Sequence, residues 1–338
     1  MKEQKPKSII EPQLEDKLLD QTLRPSTFKD FVGQEKTKEN IKIMIQAAKT
    51  RKEPLEHILI YGPSGLGKTT LAHIIAKENN GNMKITSGAA LEKAGDIAAI
   101  LTNLQDGDIF FIDEVHRLNK IIEEVLYPAM ESFKLDIIIG KGASAKTIQI
   151  NLPHFTLIAA TTRIALLSSP FRSRFGGHYR LDFYNQENIE KIIGRSAKIL
   201  NVEIVEEAQR MLASASRYTP RIANKLLKRA RDFAQVKGEK IITPKVITET
   251  LKMLDIDKLG LETTDRKILQ IIISNFKGGP VGIKTIAASI AEEEETIEDV
   301  FEPYLMQIGF LARTPKGRIA TRLAFDHLGI KQERSLNI

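Results

Sequence analysis

The stretch Gly62-Pro63-Ser64-Gly65-Leu66-Gly67-Lys68-Thr69 has the spacing G-x-x-x-x-G-K-[ST] and follows an apolar run from His57 to Tyr61. Three glycines permit a tight turn that aims consecutive backbone N–H groups into a concavity at the start of a helix, which makes an anion site. The phosphates of a nucleotide fit there. Lys68 can reach the β- and γ-phosphates as a mobile point charge, and the Thr69 hydroxyl can ligate a Mg²⁺ that keeps most of its waters. Downstream, Asp108-Ile109-Phe110-Phe111-Ile112-Asp113-Glu114 reads as a buried parallel strand that releases two carboxylates at its C-terminal end. Asp113 suits the Mg²⁺, through water, and Glu114 suits polarisation of an attacking water. Phe155 to Ala160 is a second such strand, and the hydroxyls of Thr161-Thr162 behind it can orient that water. His116 extends the carboxylate pair to Asp-Glu-Val-His, although a lone histidine at such a place is more often structural.

A cation in the first turn of a helix opposes the helix dipole by a few tenths to about 1 kcal/mol. In Thr219-Pro220-Arg221, Thr219 is a sound N-cap and Pro220 a sound first-turn residue, but Arg221 pays that penalty unless a phosphate lies in front of it. Arg221 is therefore a candidate phosphate sensor. Arg172 and Arg174 share a short turn before Gly176-Gly177 and, on the residues alone, face solvent.

These groups need a scaffold that brings strand ends together. A helix over about Thr70 to Lys77, with Leu71, Ile74 and Ile75 on one face, a strand from Lys84 to Ser87 and a helix from Ala94 to Leu104 continue the alternation, which predicts an α/β fold with a parallel sheet. Upstream, an amphipathic helix runs from about Glu35 to Lys49, and residues 1–20 lack periodicity and read as a mobile arm. Residues 133–152 break the rhythm: Leu135, Ile137, Ile138 and Ile139 lead to Gly140-Lys141-Gly142, then Thr147-Ile148-Gln149-Ile150 alternates, as in a hairpin. Its arms are apolar on more than one side, which suits a protein partner. Residues from Asn185 to Leu254 are helical throughout. From Lys258 the pattern is helix (Asp265 to Phe276), turn, helix (Ile283 to Ile290), helix (Glu294 to Ile308) and a two-stranded ribbon, the outline of a winged helix. The third helix carries Glu292, Glu293, Glu294, Glu295, Glu298, Asp299 and Glu302 and repels phosphate, whereas the wing has Arg313, Lys316 and Arg318, so DNA contact is expected through the wing and the backbone.

With those motifs in place, the chain from about Leu23 to Ile330 resembles the RuvB family of AAA+ motors for Holliday-junction branch migration. The resemblance rests on Glu92-Lys93-Ala94-Gly95-Asp96, Phe111 to Leu118, Leu126-Tyr127-Pro128-Ala129-Met130-Glu131, Ala160-Thr161-Thr162-Arg163, Thr219 to Asn224 and Gly309 to Arg318. It implies a large ATPase domain over 1–184, a small helical lid over 185–255 and a winged-helix head over 258–338. It implies ATP and Mg²⁺ as cofactors. Leu23, Arg24, Gly62, Gly65, Gly67, Lys68, Thr69, Thr70, Glu131, Ser132, Phe133, Tyr184 and Arg221 would surround the nucleotide, and Thr162 would be its first sensor. Arg174 would be an arginine finger for the neighbouring subunit of a homohexamer around duplex DNA. Ile137, Ile139, Ile148 and Ile150 would dock a RuvA-like junction-binding partner, a RuvC-like resolvase would join the complex in recombination and repair, and Arg313, Lys316 and Arg318 would touch DNA. Ser64, Ser173 and Gly177 depart from the family pattern, which bears on rate and subunit coupling.

At 338 residues the chain exceeds one compact core, and the absence of cysteine excludes disulfides, thiolate metal sites and thiol catalysis. The first twenty residues are rich in charge with no apolar core, so a cytoplasmic protein without a secretion signal or membrane span is expected. The net charge of +7 divides as +4 over 185–257, zero over 258–338 and +3 over 1–184, so it does not mark a simple basic tail. Two other readings stay open. One is a clamp-loader or initiator-like ATPase that assembles on DNA and hydrolyses slowly. The other is a protein unfoldase, which the winged helix argues against.

Overall fold

The computed structural model describes residues 22–139 and 146–331; the expected arm, the Gly140-Lys141-Gly142 turn and the last seven residues lie outside them. The first part of the chain forms strands β1 (Ile58–Tyr61), β2 (Met83–Ser87), β3 (Ile109–Asp113), β4 (Lys134–Ile139), β5 (Lys146–Asn151), β6 (Thr156–Thr161) and β7 (Gly177–Arg180). Five of them make a parallel sheet in the order β2-β3-β6-β1-β7. Alternate residues of these strands face opposite sides. Ile58, Ile60, Ile109, Phe111 and Ile158 pack under helices Glu35–Arg51 and Lys68–Glu78, while Leu59, Phe110, Ile112 and Leu157 pack against helix Lys120–Ser132. Burial on both faces explains why β3 and β6 read as continuous apolar runs.

The register sets the chemistry. Tyr61 lies beside Thr161 and Ser87 beside Asp113, so the carboxyl ends of β1, β3 and β6 share one edge, where an open α/β sheet binds its ligands. Strand β7 was not expected, because Gly176-Gly177 reads as a turn; it nonetheless pairs with β1 from Ile58↔Gly177 onward. The hairpin β4–β5 is antiparallel, with Leu135 opposite Ile150 and Ile137 opposite Ile148. Leu135 is buried, Ile150 packs onto the core and Ile148 is 48% exposed. The side chains of Ile137 and Ile139 lie outside the described residues.

Helices Gln186–Ile199, Glu206–Ser214, Pro220–Val236 and Pro244–Met253 form the lid. Their apolar faces (Ile189, Ile193, Leu212, Leu226 and Leu227) extend the same core that lies under the sheet. Thr219 does not cap helix Pro220–Val236 as expected; its hydroxyl donates to the Ser216 carbonyl at 3.3 Å.

The C-terminal winged helix has its own core, built from Ile268, Leu269, Ile272, Ile286, Ile297, Leu305 and Phe325. Helices Thr263–Phe276 and Ile283–Ile290 match expectation closely. The third does not run unbroken: Glu294–Thr296 passes through a wide π turn, Ile297–Phe301, into Glu302–Gln307. Pro303 has no N–H to offer the Asp299 carbonyl and its ring crowds that turn, which widens it. The ribbon pairs Leu311–Thr314 with Gly317–Ala320, and a last helix, Arg322–Leu328, closes the core with Phe325.

Candidate active site

Gly62 and Gly67 shape the phosphate-binding loop. Both have positive φ (140° and 100°), and a Cβ on Gly62 would lie 2.3 Å from the Leu181 carbonyl oxygen. Only glycine fits. Helix Lys68–Glu78 starts directly behind this loop, so its first N–H groups face the cleft. Lys68 is buried, and its ammonium donates to the carbonyls of Gly62 (2.8 Å) and Pro63 (3.0 Å). Burial lowers its pKa, against the pull of Glu114 and Asp113.

The Thr69 hydroxyl donates to the Asp113 carboxylate at 3.3 Å. Two hard oxygen donors, one from the loop helix and one from the end of β3, thus converge, which fits a Mg²⁺ that retains waters and phosphate oxygens. Glu114 follows with a left-handed backbone (φ 47°), a conformation that turns its side chain across the strand ends. Its Oε2 accepts from the N–H and the hydroxyl of Thr162, both at 3.3 Å, and lies 3.3 Å from His116 Nδ1. The sequence did not show that His116 belongs here. It also lies 2.9 Å from the Thr161 hydroxyl, from which it is separated by 45 residues in sequence.

A cleft of about 240 Å³ opens over the loop, and Leu23, Arg24, Gly65, Gly67, Lys68, Thr69, Thr70, Asp113, Glu114, Tyr184 and Arg221 all line it. The segment upstream of the loop, from Leu23 to Val32, is therefore part of the site. The Tyr184 hydroxyl donates to the Leu66 carbonyl at 3.2 Å, and burial raises the phenol's pKa. Arg221 comes from the lid and donates to the Ser64 hydroxyl at 3.3 Å. Arg195 and Asn224, both lid residues, line the cleft too and were missed. Arg195 donates to the Leu23 carbonyl at 2.8 Å, a link across 172 positions that no local pattern shows.

Glu131, Ser132, Phe133 and Arg174 do not join this cleft. Phe133 ends helix Lys120–Ser132 and meets Phe155 edge-on, Ser132 donates to the Pro128 carbonyl, and Arg174 pairs with Glu131 at 3.0 Å while stacking on Tyr127. These residues form a separate patch on the same chain, outside the lining of this cleft. The wing divides as well. Arg313 and Lys316 are exposed, but Arg318 is buried and donates through Nε and Nη2 to Glu302, and through Nη2 to Glu298 at 2.8 Å. The acids of the third helix thus serve arginines of this chain: Arg318, Arg313 and, in the ATPase domain, Arg163.

This three-part arrangement has close counterparts. The family models of the Holliday junction DNA helicase RuvB P-loop domain, the RuvB AAA lid domain and the RuvB C-terminal winged helix domain match residues 23–181, 184–257 and 258–329 in turn. The chain belongs to the RuvB family. A Dehalococcoides mccartyi relative named Holliday junction branch migration complex subunit RuvB is 57% identical over 323 residues, covering 96% of this chain and 93% of its own. The solved RuvB Holliday junction branch migration motor of Thermotoga maritima superposes with a TM-score of 0.85 at 49% identity, covering 92% of this chain and 99% of that one. A mutant form of that protein gives the same TM-score and identity. Within the RuvB fold, the parallel sheet, lid and winged helix described above supply the loop, Arg221 of the cleft and the wing respectively.

Proposed function

We propose that this chain is an ATP-driven motor that moves the branch point of Holliday junctions, in recombination and repair, as a homohexamer on duplex DNA. The observation that carries the reading is the convergence of Lys68, the Thr69–Asp113 pair and the Glu114–Thr162 pair on one cleft that the lid closes with Arg221, in a chain ending in a winged helix. Lys68 holds the phosphates, Thr69 and Asp113 hold Mg²⁺, and Glu114 takes the proton of a water that Thr162 helps to place. The metal, when bound, neutralises charge on the phosphate oxygens. Arg174 acts at the cleft of the next subunit, which accounts for its distance from its own. Arg313 and Lys316 are the wing cations placed to meet the DNA backbone. The β4–β5 hairpin, with Ile148 exposed, is the docking element for a RuvA-like partner, and a RuvC-like resolvase acts on the same junction. No helix among the described residues is long and apolar enough to cross a membrane, in keeping with work in the cytoplasm.

ATP turnover with and without duplex DNA, and on a four-way junction with the RuvA-like partner, tests this reading. Multiple-turnover hydrolysis stimulated by DNA, with conversion of junctions to separated duplexes, is expected. Hydrolysis that stops after a single turnover once the protein is loaded on DNA would instead favour a clamp-loader or initiator-like switch. Glu114→Gln should bind Mg-ATP and barely hydrolyse it.

A further inference from the structure

A carboxylate that activates water must be aimed, and the surroundings of Glu114 show how one of its oxygens is fixed. Oε2 accepts twice from Thr162, and the third group on it is the His116 ring, whose Nδ1 lies 3.3 Å away. Both of these Thr162 bonds fall on one oxygen, and the Glu114 side chain as a whole is 36% exposed. The His116 side chain is only 9% exposed, compared with 36% for Glu114, so the imidazole is itself fixed by packing. The Thr161 hydroxyl beneath it is fully buried and already accepts from the Arg163 N–H at 2.9 Å. That hydroxyl lies 2.9 Å from Nδ1.

We propose that His116 is a positioning residue for ATP hydrolysis: its Nδ1–H, bonded to the Thr161 hydroxyl at 2.9 Å and 3.3 Å from Glu114 Oε2, orients the Glu114 carboxylate by charge–dipole attraction without touching the nucleotide. The inference rests on the role given to Glu114 above. A carboxylate facing Nδ1 selects the tautomer that carries its proton there. The charged groups around the ring are Glu114, Arg163, Asp299 and Arg117, and burial keeps the imidazole below its ordinary pKa against the pull of the two carboxylates. The ring is therefore neutral at pH 7 and serves as a donor, not as a counter-charge.

The test uses the full-length protein with DNA and compares His116→Ala, His116→Asn, His116→Gln and Glu114→Gln in one series. The amide nitrogen of asparagine reaches the place of Nδ1, whereas that of glutamine reaches the place of Nε2. For His116→Ala we expect kcat to fall about 10- to 100-fold, the loss of a polar N–H that faces a charged group, with nucleotide affinity within about twofold of the parent. His116→Asn should recover most of that loss and His116→Gln should not, at matched melting temperatures. A merely structural role would follow side-chain size instead, so equal recovery by both amides, or a loss that tracks melting temperature or nucleotide affinity, overturns the proposal. Unchanged kcat in His116→Ala beside an inactive Glu114→Gln overturns it while leaving the role of Glu114 intact. Near-normal turnover by Glu114→Gln removes the base itself, and the positioning role with it.

Discussion

Among the described residues, the winged helix meets the lid and the ATPase domain through joints that differ in kind. Its joint with the lid is buried: Arg217, 5% exposed, donates from both terminal nitrogens to Asp265, which is fully buried, at 3.1 and 3.2 Å. Tyr304 stacks under the guanidinium at 4.7 Å, while His327 pairs with Asp257 at 2.7 Å. Its joint with the ATPase domain is thin and partly wet. Arg163 Nε meets Asp299 at 2.7 Å and a terminal nitrogen meets Glu295 at 3.5 Å, with Glu295 73% exposed. A planar, fully enclosed fork on a carboxylate resists a hinge, whereas an exposed pair is worth about 1 kcal/mol or less. The head is therefore built to follow the lid, and its contact with the sheet is built to part.

The two joints also lead to opposite sides of the nucleotide cleft. Arg217 is followed by Tyr218, whose carbonyl accepts from the Tyr184 N–H, and, after Thr219, by Pro220 and Arg221 of the cleft. Arg163 follows Thr162, which holds Glu114. A lid movement that carries the head off the sheet while Arg217 stays on Asp265 separates Arg163 from Asp299.

The largest effect is expected from Arg217→Ala. Removing one partner of an enclosed pair leaves Asp265 uncompensated and typically costs about 3–5 kcal/mol. Denaturant unfolding should show that loss, along with separation of the head's transition from that of the lid. A cost below about 1 kcal/mol would make the two joints equivalent and end the comparison.

That cost should depend on pH, and the direction is fixed. Burial lifts the Asp265 carboxyl to about 6, against the pull of Arg217. A carboxyl lifted above its unfolded value near 3.9 contributes stability that is complete below that value and is lost as pH rises through about 6. Without Arg217 the lift is larger, so the variant's deficit relative to the parent should widen between pH 5 and pH 8. A deficit that shrinks over this window would mean that Asp265 is not the group left unpaired.

How much of this could be read in the sequence follows from distance along the chain. The loop from Gly62 to Thr69, the acids at Asp113 and Glu114 and the outline of three domains are local patterns of glycine, charge and apolar period, and they stand where expected. Arg318 and the acids of the third helix were read as opposite faces for DNA. Their mutual neutralisation spans 16 and 20 positions and depends on how a ribbon folds back on a helix. Strand β7 needs β1 beside it before Gly177 can be seen as its first residue. His116 was weighed as structural because nothing in Asp-Glu-Val-His reveals Thr161, which only the parallel pairing of β3 and β6 brings near.

Arg163→Ala gives the smallest change in stability and is the sharpest probe of the thin joint. Its guanidinium is 18% exposed and its partners more so, which limits its contribution to about 1 kcal/mol or less. The thermal midpoint should hardly move. What should change is distance: a donor and acceptor pair placed on the exposed faces of the ATPase domain and the head should report a broader separation in the nucleotide-free variant than in the parent, while a pair across lid and head should not. The backbone N–H of residue 163 survives the substitution and still binds Thr161, so the Glu114 site keeps its geometry and hydrolysis without DNA should persist. If the separation stays as narrow as in the parent, apolar contact rather than the ion pair holds the head to the sheet; if the lid–head pair broadens too, the buried joint is not the rigid one.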